Sequence, residues 1–284
     1  MPDIIVHNRM GRTVYKKLPP EISSELDRET YRLGLLGPDP YALYRFFAAP
    51  FRHGIHTRMS EMHQTRTADF LVEMAKNSES KEMFSYLCGF LCHYALDSTA
   101  HPYIDALSKD QVYMHMAIER RLDLLELEKM GASLSNRPIT GGFFVPFLPE
   151  SMRQAYEKVV KDVYGWDDAW SKYRSSYMHH KLFYYIVEDP TGLVDKVLRH
   201  VPRSVCHGKI SIVSYQSHVC DGMSFDEFEM LRRKSIRKAI KLIKAAYAFR
   251  CGQITEEELK KCIGRKNYSG LIGRFDRDTS GLCG

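Results

Sequence analysis

No stretch of the sequence is apolar for long enough to cross a bilayer. The longest apolar run, residues 83–96, is broken by Ser85 and His93 and falls short of the roughly 20 residues that a spanning helix needs. The opening residues, Met1-Pro2-Asp3-Ile4-Ile5-Val6-His7, carry no basic region followed by a long apolar core, so no secretory signal is read there. The seven cysteines are odd in number and show no framework-like spacing. That excludes a disulfide scaffold and points to reduced thiols in a cytoplasmic protein. There is no dense Lys/Arg run interleaved with aromatics, which argues against duplex nucleic-acid binding. Internal repeats, low-complexity tracts and a Gly-rich phosphate loop beside a strand are also missing.

What remains is an ordinary globular composition: 284 residues, 44% hydrophobic, 27% charged, with a formal net charge of +6. Such a chain can bury a substantial core. Its modest positive charge suits an anionic substrate such as a phosphate ester without requiring one.

The pattern along the chain is helical. After a strand-like or extended N-terminus, Leu18-Pro19-Pro20-Glu21 reads as a helix start with proline in the first turn, the helix reaching about Leu35. Gly37-Pro38-Asp39-Pro40 ends it. A helix over residues 57–76 follows, then a central one over residues 84–97 that is apolar nearly all round and therefore buried in a bundle. Pro102 lies beyond it as a kink or stop. Further helices are expected over residues 110–129, 149–164, 166–187 and 193–200. Ser224-Phe225-Asp226-Glu227 reads as a capping box opening a long helix to about Arg250, and Thr255-Glu256-Glu257-Glu258 starts a last short one. Residues 133–149, rich in Gly, Pro and aromatics, read as a lid or binding loop. Residues 202–223 are irregular, with a short strand at 210–213, and the tail from Arg265 reads as loosely held. The expectation is an all-α, multi-helix bundle forming a single helical domain, 1–284. Residues 2–130 form its metal-site half, and residues 131–284 a helical half whose substrate-shaping role is unassigned.

Polar ligand-type side chains interrupt the buried pattern. His93 and Asp97 are four apart, as are His115 and Glu119, with His101 between the pairs. On a helix that spacing stacks two side chains on one face. Burying these five without a cation would leave polar atoms and carboxylates uncompensated, and zinc takes this mixture of nitrogen and oxygen donors readily. The competing reading pairs Asp97 and Glu119 with Arg120, Arg121 or the histidines in a buried polar network. Asp39, held between two prolines, is a turn former, a ligand or a base. His63 on its helix is a hydrogen-bonded bystander or a ligand. Cys88 and Cys92 beside His93 read as small buried apolar residues.

The order His7, Gly37-Pro38-Asp39, Met62-His63, His93-x3-Asp97, His101-Pro102 and His115-x3-Glu119 resembles the zinc-dependent phospholipase C family (the phospholipase C/D domain), related to the single-strand-specific zinc nucleases. The resemblance covers roughly residues 2–126. It implies a helical fold with a zinc cluster in a cleft, cleaving phosphodiesters. Under it, His63, His93 and Asp97 hold one Zn2+, with Asp39 a further ligand or the base that activates water. His101, His115 and Glu119 hold a second. A third falls to His7 and the N-terminal amine and carbonyl, those of Pro2 once Met1 is removed, with Asp97 bridging. Three departures stand out: the gap from Asp97 to His101 is shorter than in the family's secreted phospholipases, no signal peptide is read, and the residues after about 130 carry no resemblance. The resulting expectation is a phosphodiester hydrolase with two or three zinc ions, acting on a phospholipid head group. The alternatives are a single-strand nuclease and a non-catalytic, metal-stabilised binding protein. Phe143, Phe144 and Phe147, or Tyr41, Tyr44, Phe46 and Phe47, are candidates for the mouth of the cleft or for plain packing.

Overall fold

Ile4, Ile5 and Val6 are β-branched and favour a strand by themselves, yet they form the first turn of a helix, α1 (Ile4–Lys17). The cause lies far away in sequence. The Asp123 carboxylate accepts the amides of Ile5 at 3.1 Å and Val6 at 2.8 Å, satisfying donors that a helix start leaves open. The extended N-terminus expected from sequence is therefore corrected to a helix. The structure, a computed structural model, describes residues 4–48, 51, 53–109, 111–133, 144–145, 148–189, 191, 193–198, 200, 220 and 222–272.

Two expected helices are each divided. Asp27 caps a fresh start, its side chain accepting the Thr30 amide, so residues 20–35 form α2 (Pro20–Ser23) and α3 (Arg28–Gly34). A 3-10 turn, Asp39–Leu43, follows. Arg66 adopts a left-handed conformation, φ 52°, and its guanidinium bonds the Val163 carbonyl. This breaks residues 57–76 into α4 (Thr57–Gln64) and α5 (Thr67–Lys76).

The central helix is longer than expected. α6 (Lys81–Ser108) starts at the Ser80 cap and runs through Pro102, because losing one amide near the end of a long buried helix does not stop it. α7 (Val112–Lys129), α8 (Arg153–Tyr164), α9 (Ala169–Glu188), α10 (Leu193–Leu198), α11 (Asp226–Arg250) and α12 (Glu256–Ile263) complete the order. The Thr255/Glu258 capping box is present. The one expected at Ser224 is not: Phe225 occupies the cap position, and the Ser224 hydroxyl turns to Asp226. Residues 210–213, and within the loop expected at 133–149 residues 134–143 and 146–147, lie outside the described residues. Among the described residues there is no strand, only an isolated bridge between Lys266 and Ile272. The protein is all-α.

α6 is buried almost all round, with α3 and α11 packed most extensively against it and α1, α5 and α7 completing its surroundings. Gly34 and Gly89 set how close α3 comes. A Cβ on Gly34 would lie 2.1 Å from the Tyr86 carbonyl oxygen, and one on Gly89 2.1 Å from that of Tyr31. The close approach matters for the site, because it carries the end of α3 to His93.

Candidate metal centre

Because α6 continues through Pro102, His93, Asp97 and His101 stand one turn apart on one face, all three buried. α7 brings Glu119, buried, and His115, half-buried, to the same place. His7 comes from α1, Asp39 from the 3-10 turn and His63 from α4, again buried. Pro2 lies outside the described residues. The 3-10 turn can pass this close only through Gly37, at φ +54°, where a Cβ would meet the His93 ring at 2.3 Å.

Asp97 sits in the middle. Its Oδ1 is 3.2 Å from His7 Nε2, and its Oδ2 is 3.0 Å from His93 Nε2, 3.4 Å from His63 Nε2 and 3.9 Å from His101 Nε2. Asp39 Oδ1 is 3.5 Å from His63 Nε2 and 3.7 Å from His93 Nε2. Glu119 Oε1 is 3.8 Å from His101 Nε2 and 2.8 Å from His115 Nε2. Three groupings result: His7, His93 and Asp97; Asp39, His63 and His93; His101, His115 and Glu119. Two ligands on one tetrahedral zinc, with bonds of about 2.0–2.1 Å, are separated by about 3.3 Å, close to most of these spacings.

The outer nitrogens decide which way each imidazole can act. His93 Nδ1 donates to the Leu35 carbonyl at 3.0 Å, His63 Nδ1 to Met59 at 2.8 Å and His101 Nδ1 to Tyr268 at 3.0 Å. His115 Nδ1 meets the Asp105 carboxylate at 2.9 Å. These partners only accept, so each Nδ1 carries a proton and each ring turns its Nε2 inward, where the neutral form offers a lone pair; His115 Nε2 bonds Glu119 Oε1 at 2.8 Å. There the lone pairs face carboxylate oxygens. The Nε2 atoms of His7, His63, His93 and His101, Asp39 Oδ1 and both Asp97 oxygens are buried and make no hydrogen bond. At about 1–3 kcal/mol for each unsatisfied group, this would cost on the order of 10 kcal/mol, comparable with the whole stability of a typical domain. A cation between lone pairs and carboxylates removes that cost, so the donor set fits zinc.

Electrostatics point the same way. Burial would raise Asp97, but the His93 and His101 imidazoles override it and hold its carboxyl well below the usual range. Burial pushes Asp39 up to about 6 and, helped by His93, pushes His7 down to about 4. His93 goes the other way, to about 9: burial opposes its charge, but Asp97 and Asp39 favour it more strongly. The carboxylates draw positive charge into the centre. Among the described residues Asp97 has only histidines as ionic neighbours, while Arg120 bonds Tyr184 and Arg121 bonds Glu128.

The centre opens on one side into a cleft of about 640 Å³. His63, His101, His115, Glu119 and Arg120 line it together with apolar Leu43, Met59, Val112, Met116 and Phe183. Of the aromatics considered for its mouth, Tyr41, Tyr44 and Phe144 are buried packing residues, Phe46 leans on Phe183 and Phe47 is exposed. Phe143 and Phe147 lie outside the described residues. Cys92 is buried against the Tyr31 hydroxyl, and burial pushes its thiol up to about 12; Cys88 is likewise buried.

Three contributors were not foreseen. Asp105 and Asp123 each stand four residues beyond a candidate ligand, His101 and Glu119, so continuing the same spacing would have found them. Tyr268 had no such signal. It lies in the segment expected to be loose, yet it is fully buried. Its amide donates to the His63 carbonyl at 3.1 Å, its carbonyl accepts from His101, and its ring packs on His63 with centroids 4.6 Å apart. Through residue 272 the tail is held, which corrects that expectation.

The family model described as zinc dependent phospholipase C matches residues 6–180, more than half of the chain, from α1 into α9. No curated protein and no solved structure matches.

Proposed function

The chain belongs to the zinc-dependent phospholipase C family, and from that membership we propose that it is a zinc-dependent phosphodiester hydrolase that cleaves phospholipid by attack of water at phosphorus. The observation that carries the reading is the convergence of inward-facing Nε2 atoms and carboxylate oxygens, buried without hydrogen bonds, beside an open cleft.

His63, His93 and Asp97 would hold one zinc, with Asp39 a further ligand or the base, and His101, His115 and Glu119 would hold a second. His7 and Asp97 would contribute to a third. Zinc bound there supplies Lewis acidity, lowering the pKa of water toward about 7 and neutralising charge on phosphoryl oxygens. Asp39 is the candidate base, a carboxylate placed to take the proton of the attacking water. Arg120, buried in the cleft wall, is steadied by the Tyr184 hydroxyl at 3.1 Å and lies over its ring at 4.8 Å. It offers a fixed positive charge to a phosphate. Asp105 holds the His115 ring in orientation.

The apolar side of the cleft favours an amphiphile over a nucleic acid. Val112, which lines it, is 68% exposed, and Phe47 stands exposed at 63% beside Phe46. Among the described residues no helix is long and apolar enough to cross a membrane.

The test joins metal analysis to turnover. Zinc-reconstituted protein should hold about two to three equivalents and release phosphorylated head group from phosphatidylcholine or nitrophenol from a chromogenic phosphodiester. Asp39→Asn should lower turnover by about a hundredfold or more while the grouping on α7 keeps its zinc. Less than one equivalent of zinc, or a loaded protein inert on both substrates, would overturn the reading.

A further inference from the structure

A second cavity, sharing no lining residue with the metal cleft, lies between α1 and α3. Its volume is about 330 Å³. Arg12 and Lys16 on α1, and Arg28 and Arg32 on α3, line it together with Tyr15 and Tyr31, and no lining residue is acidic. On each helix the two cations are four residues apart, so they stack on one face and repel each other. Lys16 has another reason for its place, since it lies in the last turn of α1, where a cation complements the helix dipole. Arg32 does the same in the last turn of α3, whereas Arg28 opens that helix, where the dipole disfavours positive charge. Its guanidinium lies over the Tyr15 ring at 5.4 Å, and its Nε approaches the Tyr15 hydroxyl at 3.4 Å.

The two tyrosines have their hydroxyls already engaged, Tyr15 with the Ser23 carbonyl at 3.2 Å and Tyr31 with the Gly11 carbonyl at 2.8 Å. What they present to the cavity is ring surface. The rings meet edge-on at 5.6 Å, with Tyr31 buried at the floor. An apolar floor under a rim of four cations matches a ligand with a flat or apolar body and a phosphate at one end. The volume is far larger than a bare phosphate needs.

We propose that this cavity is a binding site for a small organic phosphate, its phosphate held by Arg12, Lys16, Arg28 and Arg32 and its body laid on Tyr15 and Tyr31. The chemistry is shared by a free nucleoside monophosphate and by the head group of an anionic lipid. The site stands whether or not the metal cleft hydrolyses phosphodiesters.

Zinc-replete, full-length protein is titrated calorimetrically with adenosine 5′-monophosphate and, separately, sedimented with phosphatidylcholine vesicles with and without phosphatidic acid. Capture by either phosphate probe is expected. R12E/R28E should weaken it by about a hundredfold, roughly tenfold for each cation, leaving zinc content and hydrolysis of a chromogenic diester unchanged. R12Q/R28Q, with a smaller charge change, guards against misfolding and should show an intermediate loss. Binding of the nucleotide alone identifies a free metabolite, and capture only on phosphatidic acid identifies a lipid surface. Binding that is equal in wild type and both variants, or absent with both probes, overturns the proposal.

Discussion

Asp97 is the side chain whose removal tells a metal centre from a buried polar network. It is fully buried, one oxygen faces His7, and the other faces His63, His93 and His101. Asp97→Asn keeps the shape and removes the charge. At free zinc a thousandfold above the dissociation constant, each bound ion adds about 4 kcal/mol to folding stability, so two ions add about 8. In the proposed assignment Asp97 would serve two ions, one with His63 and His93 and one with His7, while the ion at His101, His115 and Glu119 would be held by other residues. If losing its charge weakens each of its two sites by about a hundredfold, roughly 2.7 kcal/mol apiece, the zinc-induced gain from them falls from about 8 to about 3 kcal/mol. For a chain of this size each kcal/mol moves the melting temperature by about 2–4 °C. Of the zinc-induced rise in wild type, about 20 °C should then come from these two ions, and the variant should keep less than half of that part. The assay is differential scanning fluorimetry in zinc buffers, with metal content measured on the same samples. Comparing zinc-induced shifts cancels whatever the substitution does to the metal-free protein. Equal shifts in the two proteins, or none in wild type, would refute the argument from unpaired lone pairs.

Asp123→Ala removes the acceptor for the first amides of α1. It should cost about 3 kcal/mol and raise hydrogen exchange at Ile5 and Val6 well above that of the rest of α1; unchanged protection there would rule out tertiary capping. Lys238 bonds the Ser98 hydroxyl and lies 4.2 Å over the Tyr94 ring, and burial, with Lys266 and Lys234 nearby, pushes its pKa down to about 8. Between that value and about 10.5 the unfolded chain binds more protons, so stability rises with pH across the window by about 2 kcal/mol, discounted for partial exposure. Lys238→Met should flatten that rise in pH-dependent denaturant titrations, and parallel profiles would refute it.

The parts of the site legible in the sequence are those whose geometry is local. His93 with Asp97, and His115 with Glu119, could be read because four residues on a helix make one face. Family membership and the all-α class follow from similarly local patterns. The misreadings arose where a distant residue decides a local conformation. The β-branched start of α1 is helical because of Asp123, and Arg66 breaks a helix by reaching the Val163 carbonyl. Asp27 was a cap in plain view, hidden by the continuous pattern around it. The inward aim of the histidines depends on the Leu35, Met59 and Tyr268 carbonyls, and backbone acceptors leave no mark in composition or spacing.

These same contacts explain why the centre and the fold are hard to separate. The spacing on α6 runs His93, Asp97, His101, Asp105, and on α7 His115, Glu119, Asp123. In each series the last member reaches to another element: Asp105 to His115 on α7, and Asp123 to the start of α1, which carries His7. Leu35, just past α3, orients His93, and Tyr268, just past α12, orients His101 while tying its own amide to His63 on α4. Each of these links is only one or two hydrogen bonds, about 1 kcal/mol net for each and somewhat more where a carboxylate accepts, too weak to hold an element in place by itself. Each becomes decisive because the two elements it joins are already pressed together by the core around α6. Ligand geometry is thus inherited from helix packing: moving α1, α3, α7 or the C-terminal turn against α6 would rotate a donor away from Asp97 or Glu119.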